Sequence, residues 1–398
     1  MLDELDALTA FTIALVATVV LTPVTMRFAR GIGAVDRSRG RGLAPGGTPL
    51  LGGLAIFTGG ALAGVVVLPG SEVLHGILAA AAIITVVGAI DDRFDLSPPV
   101  KLAGQILAAI VAVRAGVTVD NVTIPFVGSV QFGSLGDALT VLGLVVVMNV
   151  VNLSDGIDGL AAGVCALSAA ALAVIAFDLE RHQAGILAAL TAGAALGFLI
   201  HNFHPASVYM GDCGSNLLGL LLGCVAVLGS VKTNAVLALI FPLIVLAVPF
   251  LDTTFVVLKR MKYRRPVYAA DREHFHHRLD RIGFSTRRTV LYLYAWTLAL
   301  AGLAIALRFV PYSDNGGALD MRWAAVMAGL GLLVLIASVY LVYVLEILKF
   351  KRLDAARLRR ARPTASEEEI DADVASRLET GEFDAVRRET EEFERLKF

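Results

Sequence analysis

The residues able to do chemistry fall into four clusters. The first is Asp91-Asp92-Arg93-Phe94-Asp95. Carboxylates at i, i+1 and i+4 of a helix can share one face and hold Mg²⁺ near phosphates, although acids at the end of a membrane span also occur without function. The second runs from Asn149 to Gly159 (NVVNLSDGIDG), with Asn149 and Asn152 three apart and Asp155 and Asp158 three apart. Amide oxygens and carboxylates are hard metal ligands and also partners for a nucleobase or ribose. Gly156 and Gly159 allow close backbone approach. This many polar groups between two apolar runs are costly as filler.

The third cluster extends from His201-Asn202 to Gly211-Asp212-Cys213-Gly214-Ser215. Asp212 stands just before an apolar run. It reads as an N-cap of that helix, as a carboxylate presented at the membrane surface beside a helix end that favours anions, or as both. The fourth, Asp271 to Leu279 (DREHFHHRL), places His274, His276, His277 and Arg278 in a strongly basic loop. Basic groups above a carboxylate site suit a polyphosphate that arrives with its metal. Zinc is disfavoured, because neither Cys nor a second His pair accompanies these histidines. A further basic stretch, from Gly33 through Arg37, Arg39 and Arg41 to Gly53, reads as an orientation signal or as anion contact beside the site.

The elements that carry these clusters are membrane spans. Of 398 residues, 57% are hydrophobic and 17% charged, with a mean hydropathy of +0.73, which places the chain among polytopic membrane proteins. The net charge of −1 marks no class of partner, and nucleic acid is not expected. Three cysteines are too few for a disulfide framework; Cys165 and Cys224 sit in apolar runs as small buried residues. The acidic start, Met1-Leu2-Asp3-Glu4, lacks the basic region of a signal peptide, so the first apolar run is expected to be a retained span.

Runs long enough to cross about 30 Å of hydrocarbon are predicted at 7–30, 49–70, 75–91, 99–117, 135–152, 158–178, 184–201, 214–232, 235–260, 288–311 and 322–349. Between the fourth and fifth, Val119 to Phe132 alternates, contains Pro125 and Gly128, and reads as a short β-hairpin. The predicted fold is therefore an all-α polytopic membrane protein of about eleven transmembrane helices. With the N-terminus outside, Lys and Arg concentrate in the inner loops, and only Arg114, Arg181, Lys232, Arg308 and Arg322 fall outside. That orientation puts all four polar clusters and the C-terminus on the cytoplasmic side and the hairpin on the other. The expected domains are a transmembrane unit, 1–349, and a charged cytoplasmic tail, 350–398, which is either a solvated appendage or a partner-binding segment.

Taken in order, the motifs VDxxxxR, TPxxGG, DDxxxLSPxxK, NxxNxxDGxDGLAxG, HNxxPAxxxMGDxGS and HxHHRL resemble those of the polyprenyl-phosphate N-acetylhexosamine-1-phosphate transferases, over roughly residues 10 to 345. The bacterial undecaprenyl-phosphate N-acetylglucosamine-1-phosphate transferases are the most similar branch. The muramoyl-pentapeptide branch typically carries three adjacent histidines in the last loop, where this chain has His274-Phe275-His276-His277-Arg278. Arg39-Gly40-Arg41 stands where some relatives have a Lys-His pairing, and the tail is longer than in many members.

The resemblance implies transfer of GlcNAc-1-phosphate from UDP-GlcNAc to undecaprenyl or another polyprenyl phosphate, with release of UMP, at the inner face of a bacterial cytoplasmic membrane and in service of a cell-envelope polysaccharide. It implies Mg²⁺, with Mn²⁺ as an alternative, held by Asp212 and Asn152. Asp91 becomes the base or positioning group for the lipid phosphate, with Asp92 beside metal and substrates. Lys101, Asn149, Asp155, Asp158 and Asn202 are expected to contact UDP, and His274, His276, His277 and Arg278 to hold phosphates or the sugar. A homodimer is compatible with this reading. The rivals are a muramoyl-pentapeptide substrate, a secondary transporter, whose polar groups would lie near midplane, and a membrane prenyltransferase. The last looks similar at its aspartate-rich element but needs a second such motif that Asn149 to Gly159 fits poorly.

Overall fold

The computed structural model describes residues 3–36, 47–119, 121–124, 128–230, 247, 285–311, 320–338, 358–359 and 366–380. Helices α1 (Glu4–Ile32), α2 (Gly52–Val67), α3 (Glu72–Phe94), α4 (Pro98–Arg114), α5 (Ser134–Ser154), α6 (Leu160–Asp178), α7 (His182–Asn202), α8 (Gly211–Ser230), α9 (Thr286–Phe309) and α10 (Met321–Ser338) follow one another along the chain. Each begins within a few residues of a predicted span. Among the described residues eight of them are long and apolar enough to cross a membrane, which makes this a multi-pass membrane protein. The predicted span at 235–260 lies, but for residue 247, outside the described residues.

Two helices are shorter than expected, for local reasons. α2 starts only at Gly52 because Thr48 and Pro49 form strand β2, and it stops before Leu68-Pro69-Gly70. α4 starts at Pro98, whose fixed φ suits a first helical turn, and stops before Ala115-Gly116. At about 1.5 Å per residue they measure roughly 24 and 25 Å. α1 begins with a capping box in which the Asp3 carboxylate accepts from Leu5 and Asp6 N–H while Asp6 accepts from Asp3 N–H.

Strand β1 (Val35–Asp36) pairs antiparallel with β2 (Thr48–Pro49), setting Val35 opposite Pro49 and Asp36 opposite Thr48. This ladder was not expected. Strand β3 (Asn121–Ile124) pairs antiparallel with β4 (Gly128–Gln131) inside the segment read as a hairpin, with Val122 opposite Val130.

The described chain divides into two compact units. In the first, which ends at Gly331, α8 is the hub, packed against α2, α3, α5, α6 and α7, with α1 on α2 and α7, and α9 on α6. α6, α7 and α8 form the buried interior, and their faces are rich in Ala and Gly. Lipid is as apolar as a leucine side chain, so helices in a membrane gain from close backbone approach between small residues rather than from expelling water. An Arg308–Asp178 ion pair ties α9 to the end of α6. The second unit contains helix α11 (Glu367–Thr380), where Ile370 and Val374 pack with Leu358 and Arg359 pairs with Glu367 at 2.6 Å.

Candidate active site at one end of the bundle

Three of the four polar clusters meet, because the C-terminal ends of α3, α5 and α7 and the N-terminal ends of α4, α6 and α8 lie together. The backbone around α8 makes the meeting possible. Gly52 and Gly53 N–H groups donate to the Tyr209 and Met210 carbonyls at 3.1 and 3.0 Å, which docks the start of α2 on the entry to α8. A Cβ on Gly88 would run into the Cys213 backbone, and one on Gly53 into that of Gly214. Gly211 has φ +72° and a Cβ there would strike the Asp92 carboxylate. Only glycine fits both its conformation and that contact.

The first turn of α8 is capped from outside. Asp92 Oδ1 accepts from Asp212 N–H at 2.7 Å and Oδ2 accepts from Cys213 N–H at 3.2 Å. Two expectations are corrected by this. Asp212 is not the N-cap of its own helix, and these two amides of the helix end are not available to a substrate anion, because the protein's own carboxylate occupies them. The Asp212 side chain points elsewhere. Its Oδ1 accepts from Asn152 Nδ2 at 3.0 Å, and its Oδ2 meets Lys101 Nζ at 3.3 Å. Asn152 Nδ2 also donates to Ser215 Oγ at 2.9 Å.

Asp91, Asp92 and Asp95 do not share a face. Asp91 is buried, with Oδ1 accepting from Leu96 N–H at 2.7 Å and Oδ2 paired with Lys101 Nζ at 2.6 Å. Asp92 turns to α8, and Asp95 is the exposed C-cap of α3 with φ +54°. Successive helical residues diverge by about 100°, which separates neighbours Asp91 and Asp92. Lys101 thus bridges one buried carboxylate and one half-exposed one.

A cavity of about 230 Å³ opens at this end, with Asp92, Asn152, Asp155, Asp158, Asn202 and Asp212 on its wall. These six were all singled out by sequence. Asp158 Oδ2 accepts from His204 Nδ1 at 2.8 Å and from Ala206 N–H at 3.0 Å. Asn202 is buried, taking Gly159 N–H on its Oδ1 at 2.9 Å and donating to the Val208 carbonyl at 2.9 Å, so its amide is committed to joining α6 and α7. Asn149 is not on the wall; it bonds Gln105 and the Val145 carbonyl. Asp91 and Lys101 stand behind Asp212 rather than on the wall. His274, His276, His277 and Arg278 lie outside the described residues.

Asp36 and Tyr209 also line the cavity and were missed as site residues. The signal for Asp36 was present: VD and TP flank the basic loop and pair as β1 and β2. Gln105 was missed because a single amide within an apolar run reads as span. Tyr294 of α9 was missed too; its hydroxyl donates to the Gly159 carbonyl at 2.5 Å, while Arg287 Nε donates to the His204 carbonyl at 3.1 Å.

The donor set suits a hard divalent cation. Mg²⁺ binds through one or two protein oxygens together with substrate phosphates and waters, and the adjacent Asp212 and Asn152 offer such a pair. Among the described residues no group of three or more His, Cys, Asp or Glu side chains forms a ready cage, as that mode of binding requires none.

The chain is similar to known proteins that transfer sugar phosphates. Residues 74–230 match the family described as glycosyl transferase family 4. The chain is 37% identical over 313 residues to a probable undecaprenyl-phosphate N-acetylglucosaminyl 1-phosphate transferase of Bacillus subtilis (strain 168), covering 77% of this chain and 87% of that one. It is 37% identical over 360 residues to decaprenyl-phosphate N-acetylglucosaminephosphotransferase of Mycobacterium tuberculosis (strain ATCC 25618 / H37Rv), covering 82% and 88%. It is 33% identical over 321 residues to phospho-N-acetylmuramoyl-pentapeptide-transferase of Moorella thermoacetica (strain ATCC 39073 / JCM 9320), covering 75% and 98%.

Proposed function

Since this chain belongs to glycosyl transferase family 4 and is an enzyme that transfers a sugar phosphate, we propose that it moves GlcNAc-1-phosphate from UDP-GlcNAc to a polyprenyl phosphate of the undecaprenyl type. An oxygen of the lipid phosphate attacks the sugar-linked phosphorus; the new P–O bond forms as the bond to the UMP oxygen breaks, and UMP leaves with that electron pair. The site faces the cytoplasm in a bacterial cytoplasmic membrane, where UDP-sugars are made. The observation that carries the reading is the setting of Asp212. Its carboxylate is held between Lys101 and Asn152 at the wall of a cavity shared with Asp155 and Asp158, at the ends of membrane helices.

A phosphate monoester with a second pKa near 6 is mostly dianionic at neutral pH, so positioning and electrostatics outweigh proton removal. Asp91, buried and paired with Lys101, acts as a positioning group rather than a base. Lys101 sets Asp212 and supplies positive charge beside the reacting phosphates. Asp155 and Asp158 face the nucleotide, with His204 fixing the Asp158 carboxylate. Asp212 and Asn152 would hold Mg²⁺, which when bound neutralises pyrophosphate charge. His274, His276, His277 and Arg278 contact the donor phosphates or the sugar.

Purified protein with Mg²⁺ and undecaprenyl phosphate should release UMP from UDP-GlcNAc, and EDTA should stop it. UDP-MurNAc-pentapeptide in the same assay should release none. Preferential use of the pentapeptide donor would move the chain to the other branch, and no UMP from any UDP-sugar would refute the transfer.

A further inference from the structure

The contact between Lys101 and Asp212 has a second rung beneath it. Gln105 follows Lys101 by four residues on α4, and Asn216 follows Asp212 by four on α8, so each lies about one helical turn deeper. Gln105 Nε2 donates to Asn216 Oδ1 at 2.8 Å, and Asn216 Nδ2 donates to the backbone carbonyl of Asp212 at 2.9 Å. Asn149 Nδ2 completes the network by donating to Gln105 Oε1 at 2.7 Å. Gln105 and Asn216 are each 5% exposed, and neither reaches the cavity. Amides inside an apolar bundle are expensive unless bonded, and they act as interhelical glue when they are.

Both rungs join residues 111 positions apart, so the register that pairs the amides is the register that brings Lys101 to Asp212. A slip of α4 by one residue, about 1.5 Å of rise and 100° of rotation, would break both. α4 packs mainly on α3 and α5, and Lys101 is also held by Asp91 of α3 at 2.6 Å; the amide pair ties α4 directly to α8 one turn below Asp212, where the first turn of α4 has no side-chain cap and the lysine stem is flexible.

We infer that Gln105 and Asn216 form a positioning clamp that fixes the height and rotation of Lys101 against Asp212. The clamp's kinetic consequence rests on the transfer proposed above; its structural consequence does not. In the full-length enzyme, Gln105→Leu should lower kcat roughly tenfold, equivalent to about 1.4 kcal/mol, with KM for UDP-GlcNAc changed less than about twofold and circular dichroism unchanged. A purely structural amide would instead move protein yield and unfolding temperature and leave kcat of the folded fraction intact.

The second measurement needs no turnover. Thermal unfolding of Lys101→Met, Asp212→Asn and the double variant should show coupling between the two residues, and the coupling should vanish when Gln105→Leu is present in every member of the cycle. Coupling that persists would overturn the clamp, as would a wild-type kcat in Gln105→Leu. Loss of coupling in a protein that releases no UMP would uphold the clamp and sink the transfer reading. If Gln105→Leu does not fold, Gln105→Asn takes its place, and the exchange Gln105→Asn with Asn216→Gln, which keeps the summed side-chain length, should regain most of the lost rate and coupling. An exchange no better than the single variant overturns the clamp.

Discussion

Asp92 caps the helix whose first turn carries Asp212. Its two carboxylate oxygens take the backbone N–H groups of Asp212 and Cys213 at 2.7 and 3.2 Å, across 120 residues of sequence. The orientation of α8, and with it the aim of the Asp212 side chain, is therefore set by α3. Asp92→Asn keeps one good acceptor, whereas Asp92→Ala leaves both amides without a partner, and losing a cap costs about 0.5–2 kcal/mol. We expect both unfolding temperature and UMP release to fall in the order wild type, Asn, Ala. Equal behaviour of the Asn and Ala variants would show that capping is not what Asp92 contributes.

Asp212→Asn should abolish turnover, by at least about 100-fold if the proposed role of its charge holds, while helix content stays unchanged. Asp212 is not its helix's cap, so the substitution leaves the α8 start intact. Circular dichroism and UMP release on one preparation check this, and near-normal turnover in the folded variant would remove Asp212 from the chemistry.

Lys101→Met strands the buried Asp91 carboxylate. Breaking a fully buried pair costs about 3–5 kcal/mol; Lys101 is 34% exposed, which reduces the figure. Adding Asp91→Asn removes the stranded charge and keeps an acceptor for Leu96 N–H. The double variant should regain unfolding temperature but not activity. Recovery of both would mean that the pair is purely structural.

Tyr294→Phe removes the bond to the Gly159 carbonyl, worth about 1 kcal/mol. The segment carrying Asp155 and Asp158 loses one of its ties to α9, so KM for UDP-GlcNAc should rise several-fold with a smaller change in kcat. A fall in kcat at constant KM would place the effect on the other side of the cavity.

Much of this site was legible in the sequence because burying polar groups in lipid is expensive, so Asp92, Asn152, Asp155, Asp158 and Asp212 stand out against apolar spans. Helix ends were legible to within a few residues, closely at Pro98 and Gly33 and less so at Pro49 and Gly70, which lie outside α2. Direction was not. Nothing local tells that Asp91 turns inward to Lys101 while its neighbour Asp92 reaches another helix, or that Asn202 bonds two backbone groups. Those outcomes depend on partners 6 to 120 residues away. Gln105 was invisible for the opposite reason: its partners Asn149 and Asn216 hide it inside the bundle, and a lone amide in an apolar run carries no local signature.

The shortness of α4 bears on the membrane itself. Its 17 residues measure roughly 25 Å, against about 30 Å of hydrocarbon, and Val100, Leu102, Ile106, Leu107 and Ile110 are exposed along it. A stretch this short is matched by thinning of the adjacent bilayer, by flanking side chains reaching to the interface, or by packing against other helices, at a cost of a fraction of a kcal/mol per ångström. Thinning would fall against the helix that carries Lys101 and would draw headgroups there toward the site. A phosphate on a long isoprenoid chain would then meet the enzyme at a dimple in the bilayer, with less of the chain to be pulled out of hydrocarbon than on a flat surface.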